Sequence, residues 1–184
     1  LPEALRKRLE KDFVFHLPVI SEARESEDGT KKFLFEFADG EAVESVLIPA
    51  RGRMTVCVST QAGCRFGCRF CASGVRGWKR HLSAGEMLSQ ILVAQIVSKE
   101  QQGRLSHVVF MGTGEPLDNY DELIKSIRII NSPEGIGLAA RHITVSTCGL
   151  IPEIKKLSRE GLQLELSISL HGFDDASREQ LMPV

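Results

Sequence analysis

The sequence predicts an α/β fold, a partial (βα) barrel of about four strand–helix units behind a small helical and β-hairpin segment. Three observations carry that prediction. From residue 54 onward, short β-rich runs alternate with helical stretches, the order that builds a parallel sheet. Within the runs one face is apolar and the other polar. Ile143 and Val145 alternate with Thr144 and Ser146, and Leu164, Leu166, Ile168 and Leu170 alternate with Glu165, Ser167, Ser169 and His171. A doubly wound sheet, covered by helices on both faces, has near-continuous apolar strands instead. Third, the chemically unusual residues collect just after the strands, where barrels place their active sites.

The elements follow in order. Residues 1–12 carry Leu5 and Leu9 at helical spacing and read as the tail of a helical segment, while residues 21–30 are polar and turn-rich and read as a loop. Phe33, Phe35 and Phe37 share one face of a strand over 31–37. Asp39-Gly40 offers a turn into a second strand over 42–48, and Pro49 to Arg53 breaks the hairpin off. A strand over 54–60 sets Val56 and Val58 against Thr55, Cys57 and Ser59, and leads into a Cys-rich loop. A helix over 84–102 opens on Ser83 and Glu86 at capping-box spacing and stops at Gly103. The strand over 106–111 leads through a Gly-rich turn to a helix near 120–130, with Leu123, Ile124, Ile127 and Ile130 on one face. The strand over 142–147 precedes a helix near 152–159 that begins at Pro152 and ends before Gly161. The strand over 164–170 leads to a last helix from Asp174 or Asp175. Residues 1–50 form an accessory segment and residues 51–184 the first part of the barrel core.

Composition narrows the function classes. The 184 residues are 42% hydrophobic and 26% charged, the balance of a globular chain, and the formal net charge of -1 gives no global basic field. No apolar run approaches the ~18 residues of a membrane span, and no signal peptide opens the chain. Five cysteines, three of them between Cys64 and Cys71, point to metal or thiol chemistry in a reducing compartment, the cytoplasm, rather than to a disulfide framework.

Cys64-Arg-Phe-Gly-Cys68-Arg-Phe-Cys71 is a C-x3-C-x2-C run directly behind a strand. Three thiolates on one short loop can hold three irons of a [4Fe–4S] cube and leave the fourth open to a substrate. Zinc asks for a fourth ligand, for which His81 and Cys148 are the nearby candidates, and unliganded thiols are the third possibility.

This run behind the first barrel strand resembles the radical S-adenosylmethionine (SAM) superfamily. With Cys57-Val-Ser-Thr-Gln-Ala-Gly-Cys64, Phe110-Met-Gly-Thr-Gly-Glu-Pro-Leu117, Ile143-Thr-Val-Ser-Thr-Cys-Gly149 and Ser167-Ile-Ser-Leu-His171, the chain is similar from about Glu44 to Val184 to the radical SAM adenine-C2 methyltransferases of 23S rRNA and tRNA. A sister group that methylates adenine C8 shares much of the pattern. The resemblance implies a radical SAM type of barrel and a cluster whose open iron chelates the amino and carboxylate groups of SAM. It also implies a 5′-deoxyadenosyl radical, RNA substrates and an electron donor such as a flavodoxin, with no obligate protein partner evident.

The resemblance also assigns residues, each beside a plainer reading. Gly112-Thr-Gly-Glu115-Pro116 fails as a dinucleotide fingerprint because Leu117 stands at the third glycine position. Alone it is a structural turn; by resemblance, Gly114 and Glu115 receive the amino group of SAM. Ser146, Ser169 and His171 are internal hydrogen-bonding residues by default and, by resemblance, contacts to the SAM ribose and carboxylate. Cys57 is a buried thiol by default, and the resemblance has it remove the adenine C2 proton at the last stage of methyl transfer. Glu44 is a solvated strand residue by default and a proton acceptor by resemblance. Cys148 departs from the family pattern and reads as packing or a spare thiol.

Residues 51–81 hold Arg51, Arg53, Arg65, Arg69, Arg76, Lys79 and Arg80 and no acid, a local charge of +7. This is either a loop balanced by acids elsewhere or a basic rim for RNA phosphates. Trp78 is either a base-stacking residue or an anchor for the following helix. The chain begins at Leu1 rather than Met and reads as a fragment. The methyl-accepting cysteine that the resemblance requires would lie beyond Val184, together with the last two barrel units, so the fragment is expected not to turn over. A methylated product from this chain would disprove that. Of the rival classes, another radical SAM enzyme lacks reason for the Cys57 and Ser-x-His matches, and a zinc-stabilised nucleic-acid-binding module predicts zinc without sulfide.

Overall fold

In the computed structural model, which describes residues 1–13, 17–100 and 103–184, the chain opens on α1 (Glu3–Asp12). This charged helix buries none of its residues. β1 (Val19–Glu25) follows and pairs antiparallel with β2 (Lys31–Glu36), with a register shift at Ser21. The loop expected over 21–30 is thus a strand up to Glu25. Its residues carry no strand signal because β1 is the edge of the sheet and every one of them is exposed. A tight turn remains at 26–30, closed by Gly29 N–H on the Ser26 carbonyl at 2.9 Å.

β3 (Ala42–Ala50) pairs antiparallel with β2 and with β4 (Arg53–Cys57). Pro49 therefore does not end the hairpin. It lies inside β3 opposite Met54, and the reversal falls one step later at Arg51-Gly52, where Gly52 takes φ +69°. β5 (Gln61–Ala62) and β6 (Arg80–His81) form a separate two-stranded ladder. α2 (Ala84–Glu100) begins with the expected capping box: Ser83 N–H donates to the Glu86 carboxylate at 2.8 Å and Glu86 N–H to Ser83 Oγ at 3.2 Å. Its expected end at 102 lies outside the described residues, and Gly103 N–H closes on the Ser98 carbonyl at 2.8 Å.

β7 (Leu105–Phe110), α3 (Tyr120–Asn131), β8 (Ile143–Thr147), α4 (Ile151–Leu157), β9 (Glu165–Ile168) and α5 (Asp175–Leu181) complete the chain. β4, β7, β8 and β9 are parallel neighbours, so one sheet runs in the order β1-β2-β3-β4-β7-β8-β9. This is the expected partial barrel, with an antiparallel extension on the β4 side. Among the described residues no helix is long and apolar enough to cross a membrane.

Register sorts the side chains onto two faces. Leu47, Val56, Val108, Ile143 and Val145 lie on the face covered by α2, α3 and α4, and all are fully buried with Met87, Ile91, Leu123 and Ile127. The other face carries Val46, Cys57, Val109, Thr144 and Glu165 as successive partners, and none of them is buried. This is the uncovered, polar side that the alternation predicts. β9 departs from that pattern, because its apolar side is bare: Ile168 is 52% exposed. α5 does not return to cover it. Its Arg178 guanidinium instead donates to the carbonyls of Cys148, Ser169 and Leu170, which seats α5 across the strand ends.

Candidate functional site

A cavity of about 190 Å³ opens where the parallel strands end. Its walls include Cys64, Cys68 and Cys71 from the loop after β4, Gly114 and Glu115 from the turn after β7, Ser146 from β8 and Ser169 from just past β9. Backbone geometry keeps these segments together. Gly63, at φ +71°, stands where an added Cβ would lie 1.8 Å from the Gly77 carbonyl oxygen, so the Cys loop is pinched at its neck. The β5–β6 ladder and the Lys79 N–H on the Ala62 carbonyl at 2.9 Å hold that neck shut. At the far side, Arg69 N–H bonds the Leu181 carbonyl at 2.9 Å, tying the loop to α5.

The Gly112–Glu115 turn has structural reasons for its glycines. A Cβ at Gly112 would meet Ser59 Oγ at 2.5 Å, and one at Gly114, where φ is +102°, would meet the Gln61 side chain at 2.5 Å. Glu115 is 5% exposed. Its carboxylate accepts from Leu117 N–H at 3.0 Å and Cys148 N–H at 2.8 Å, which joins the ends of β7 and β8. Among the described residues no cation pairs with it. A buried carboxylate with acceptor capacity left over, in a cavity wall, suits a cationic ligand group.

The three thiols of Cys64, Cys68 and Cys71 all line this cavity. Zinc draws its ligands to about 2.3 Å, whereas each iron of a four-iron cluster takes its own thiolate. Three thiols in the wall of one cavity are the donor set that a cluster with one open iron takes. Burial pushes the Cys64 and Cys68 thiols up, with neighbouring thiols adding to it. Iron bound there would reverse that preference by holding the thiolates.

His171 does not line the cavity. It stands at its lip, exposed, at φ +50°, with its ring 4.5 Å from that of Phe70 in the Cys loop. Cys57 lies outside the cavity wall, half-buried, on the same sheet face as Ser146, and burial lifts its thiol to about 11. Glu44 lies two residues along β3 from Val46, the partner of Cys57, and so shares that face. Its exposed carboxylate pairs with Lys32 Nζ at 2.8 Å. The buried thiol of Cys148 is in the cavity wall, and burial with Glu115 beside it raises it strongly.

Sequence reasoning missed several positioning residues. Gln90 of α2 clamps the Ser59 backbone, accepting its N–H at 2.9 Å and donating to its carbonyl at 3.0 Å. Asn119 Nδ2 donates to the carbonyls of Thr60 and Leu82 at 2.9 and 2.7 Å. Gln61 accepts Glu115 N–H at 2.9 Å and donates to Asp118 at 2.6 Å. Arg178 is the fourth. Amides give no periodic signal, so only their partners reveal them.

The basic rim is smaller than the sequence count. Arg51 and Arg53 lie at the opposite end of β4 from the Cys loop. Arg80 is paired with Asp39 and Glu86, and Arg65 with Asp118 at 3.0 Å. Arg69, Arg76 and Lys79 are exposed, and among the described residues no carboxylate pairs with them.

Comparison with known proteins agrees with this geometry. The radical SAM superfamily profile matches residues 58–183. The whole chain aligns at 49% identity with 53% of a probable dual-specificity RNA methyltransferase RlmN of Clostridium acetobutylicum. It also aligns at 48% identity with 53% of that of Akkermansia muciniphila. A crystal structure of a radical SAM methyltransferase from Sphaerobacter thermophilus superposes with a TM-score of 0.94 at 42% identity, covering all of this chain and 54% of that one. The chain spans about half the length of the curated relatives it matches.

Proposed function

The chain belongs to the radical SAM superfamily, and from that premise we propose that it is the cluster-bearing, SAM-binding part of an RNA methyltransferase acting on adenine C2 of 23S rRNA and tRNA. The observation that carries this reading is that seven residues singled out from sequence, Cys64, Cys68, Cys71, Gly114, Glu115, Ser146 and Ser169, line one cavity. The names of its relatives support the RNA substrate, and the catalysis is cytoplasmic and fed by an electron donor such as a flavodoxin. Cys148 is the last cysteine of these residues, and none of the five is assigned as a methyl acceptor. In this reading residues 1–50 are accessory and residues 51–184 belong to the core.

The three cysteines hold a [4Fe–4S] cluster, which with SAM supplies a 5′-deoxyadenosyl radical when both are bound. Glu115 neutralises the ammonium of the methionine end of SAM, and its two backbone bonds fix the carboxylate beforehand. Ser146 and Ser169 offer hydroxyls to the ribose and carboxylate, and His171 closes on them from the lip. Cys57, its thiol held protonated at neutral pH, must give that proton to a base before it takes the adenine proton, and the Glu44 carboxylate on the same face is the acceptor these residues offer.

Anaerobic reconstitution with iron and sulfide, then dithionite and SAM, tests the reading. About four irons per chain and 5′-deoxyadenosine are expected. Cys68→Ala should lose the iron, and Glu115→Gln should keep it while weakening SAM binding about tenfold or more. Zinc without sulfide would overturn the assignment.

A further inference from the structure

Trp78 is the one tryptophan of the chain and does not anchor the following helix. It sits at the neck of the Cys loop, 40% exposed and outside the hydrophobic core. The Arg65 guanidinium lies over its ring at 4.6 Å, and the His81 ring meets it nearly edge-on at 5.5 Å and 70°. Arg65 is held by Asp118 at 3.0 Å, Asp118 accepts from Gln61 Nε2, and Gln61 accepts the N–H of Glu115. An exposed indole is thus braced, residue by residue, against the turn that lines the cavity.

An apolar ring of this size left in water, flanked by Arg65 and followed and preceded in the chain by Lys79 and Arg76, which have no carboxylate partner among the described residues, has the composition of a surface for unpaired nucleic-acid bases. Arg76 and Lys79 lie within two residues of Trp78 at the neck of the loop. We propose that Trp78 is a stacking platform for an unpaired base of an RNA loop, with Arg76 and Lys79 taking the adjacent phosphates. The bracing chain then sets the distance between the stacked base and the cavity, so that a neighbouring nucleotide is presented to it. The inference rests on the RNA reading above and adds where the strand is gripped.

Because there is one tryptophan, emission excited at the red edge, where Tyr120 does not absorb, reports on this site alone. The test titrates the full chain with a short RNA stem-loop carrying unpaired adenines and with a fully paired duplex of equal length, following emission and the anisotropy of labelled RNA together. The stem-loop should quench the emission saturably with the same midpoint as the anisotropy, and the duplex should quench little. Trp78→Ala should weaken stem-loop binding about tenfold or more, and Trp78→Phe should restore most of it. Arg76→Ala should weaken both RNAs alike, reduce the salt dependence and leave the quench at saturation unchanged. RNA binding without quenching, or equal quenching by duplex and stem-loop, would overturn the platform and leave the RNA reading intact. No binding of either RNA by anisotropy would overturn both.

Discussion

At Cys57 the surroundings set the chemistry more than the residue does. The thiol lies on the polar face of the sheet, yet burial raises it from about 9.0 to about 11. A thiol is neutral when protonated, so burial favours that form and the thiolate fraction at neutral pH is very small. In a variant where Cys57 is the only remaining cysteine, alkylation should be slow at pH 8 and rise through about pH 11. A midpoint near 9 would contradict this placement. The sign is the same for stability. Because the folded value is raised, the contribution of Cys57 is complete below about pH 9 and lost as the pH climbs toward 11. Glu115 shows the same dependence on context. Its motif is readable in the sequence, but its bonds to Leu117 and Cys148 come from two different strand ends.

Among the elements, β8 and β9 have similar alternation in sequence and opposite fates. Ile143 of β8 is fully buried beneath the helices, whereas Ile168 of β9 is 52% exposed. Replacing Ile143 by Ala should cost about 2–5 kcal/mol in urea denaturation. Ile168→Ala should cost less than about 1 kcal/mol, because no packed cavity is left behind. The reverse order would mean that the bare face of β9 is covered in solution. β1 makes a related point. Its charged stretch reads as a loop because an exposed edge strand needs no apolar alternation, and its pairing with β2 is decided by backbone bonds.

For the molecule as a whole, the site is a loop suspended from a rigid frame. Between the neck at Gly63–Gly77 and the tie at Arg69, the Cys loop exposes Arg65, Arg69 and Arg76 to solvent. Trypsin should cut the metal-free chain there first. Reconstitution with iron and sulfide should suppress those cuts and leave cleavage in α1 unchanged, since binding stabilises only the conformation that holds the ligands. Equal cutting with and without the cluster would show that the three cysteines do not hold it.

How much was legible differs by level. The parallel strands, the polar face, the Cys loop and the Gly-Glu turn are all visible in the sequence, because alternation and spacing are local and the strand ends are where parallel sheets gather side chains. Gln61, Gln90 and Asn119 were not, since a buried amide declares its role only when its partner backbone is known. The charge count over 51–81 left two readings open, and the structure divides them. Asp39 and Asp118, far along the chain, and the nearby Glu86 neutralise Arg80 and Arg65, while Arg69, Arg76 and Lys79 have no carboxylate partner among the described residues. The sequence by itself determined the chemistry available: three thiols, a carboxylate and a set of hydroxyls at the ends of alternating strands. Tertiary structure alone decided which of these share a cavity, which cations remain for a partner, and that Trp78 faces water. Those outcomes depend on contacts between segments dozens of residues apart, and no local pattern encodes them.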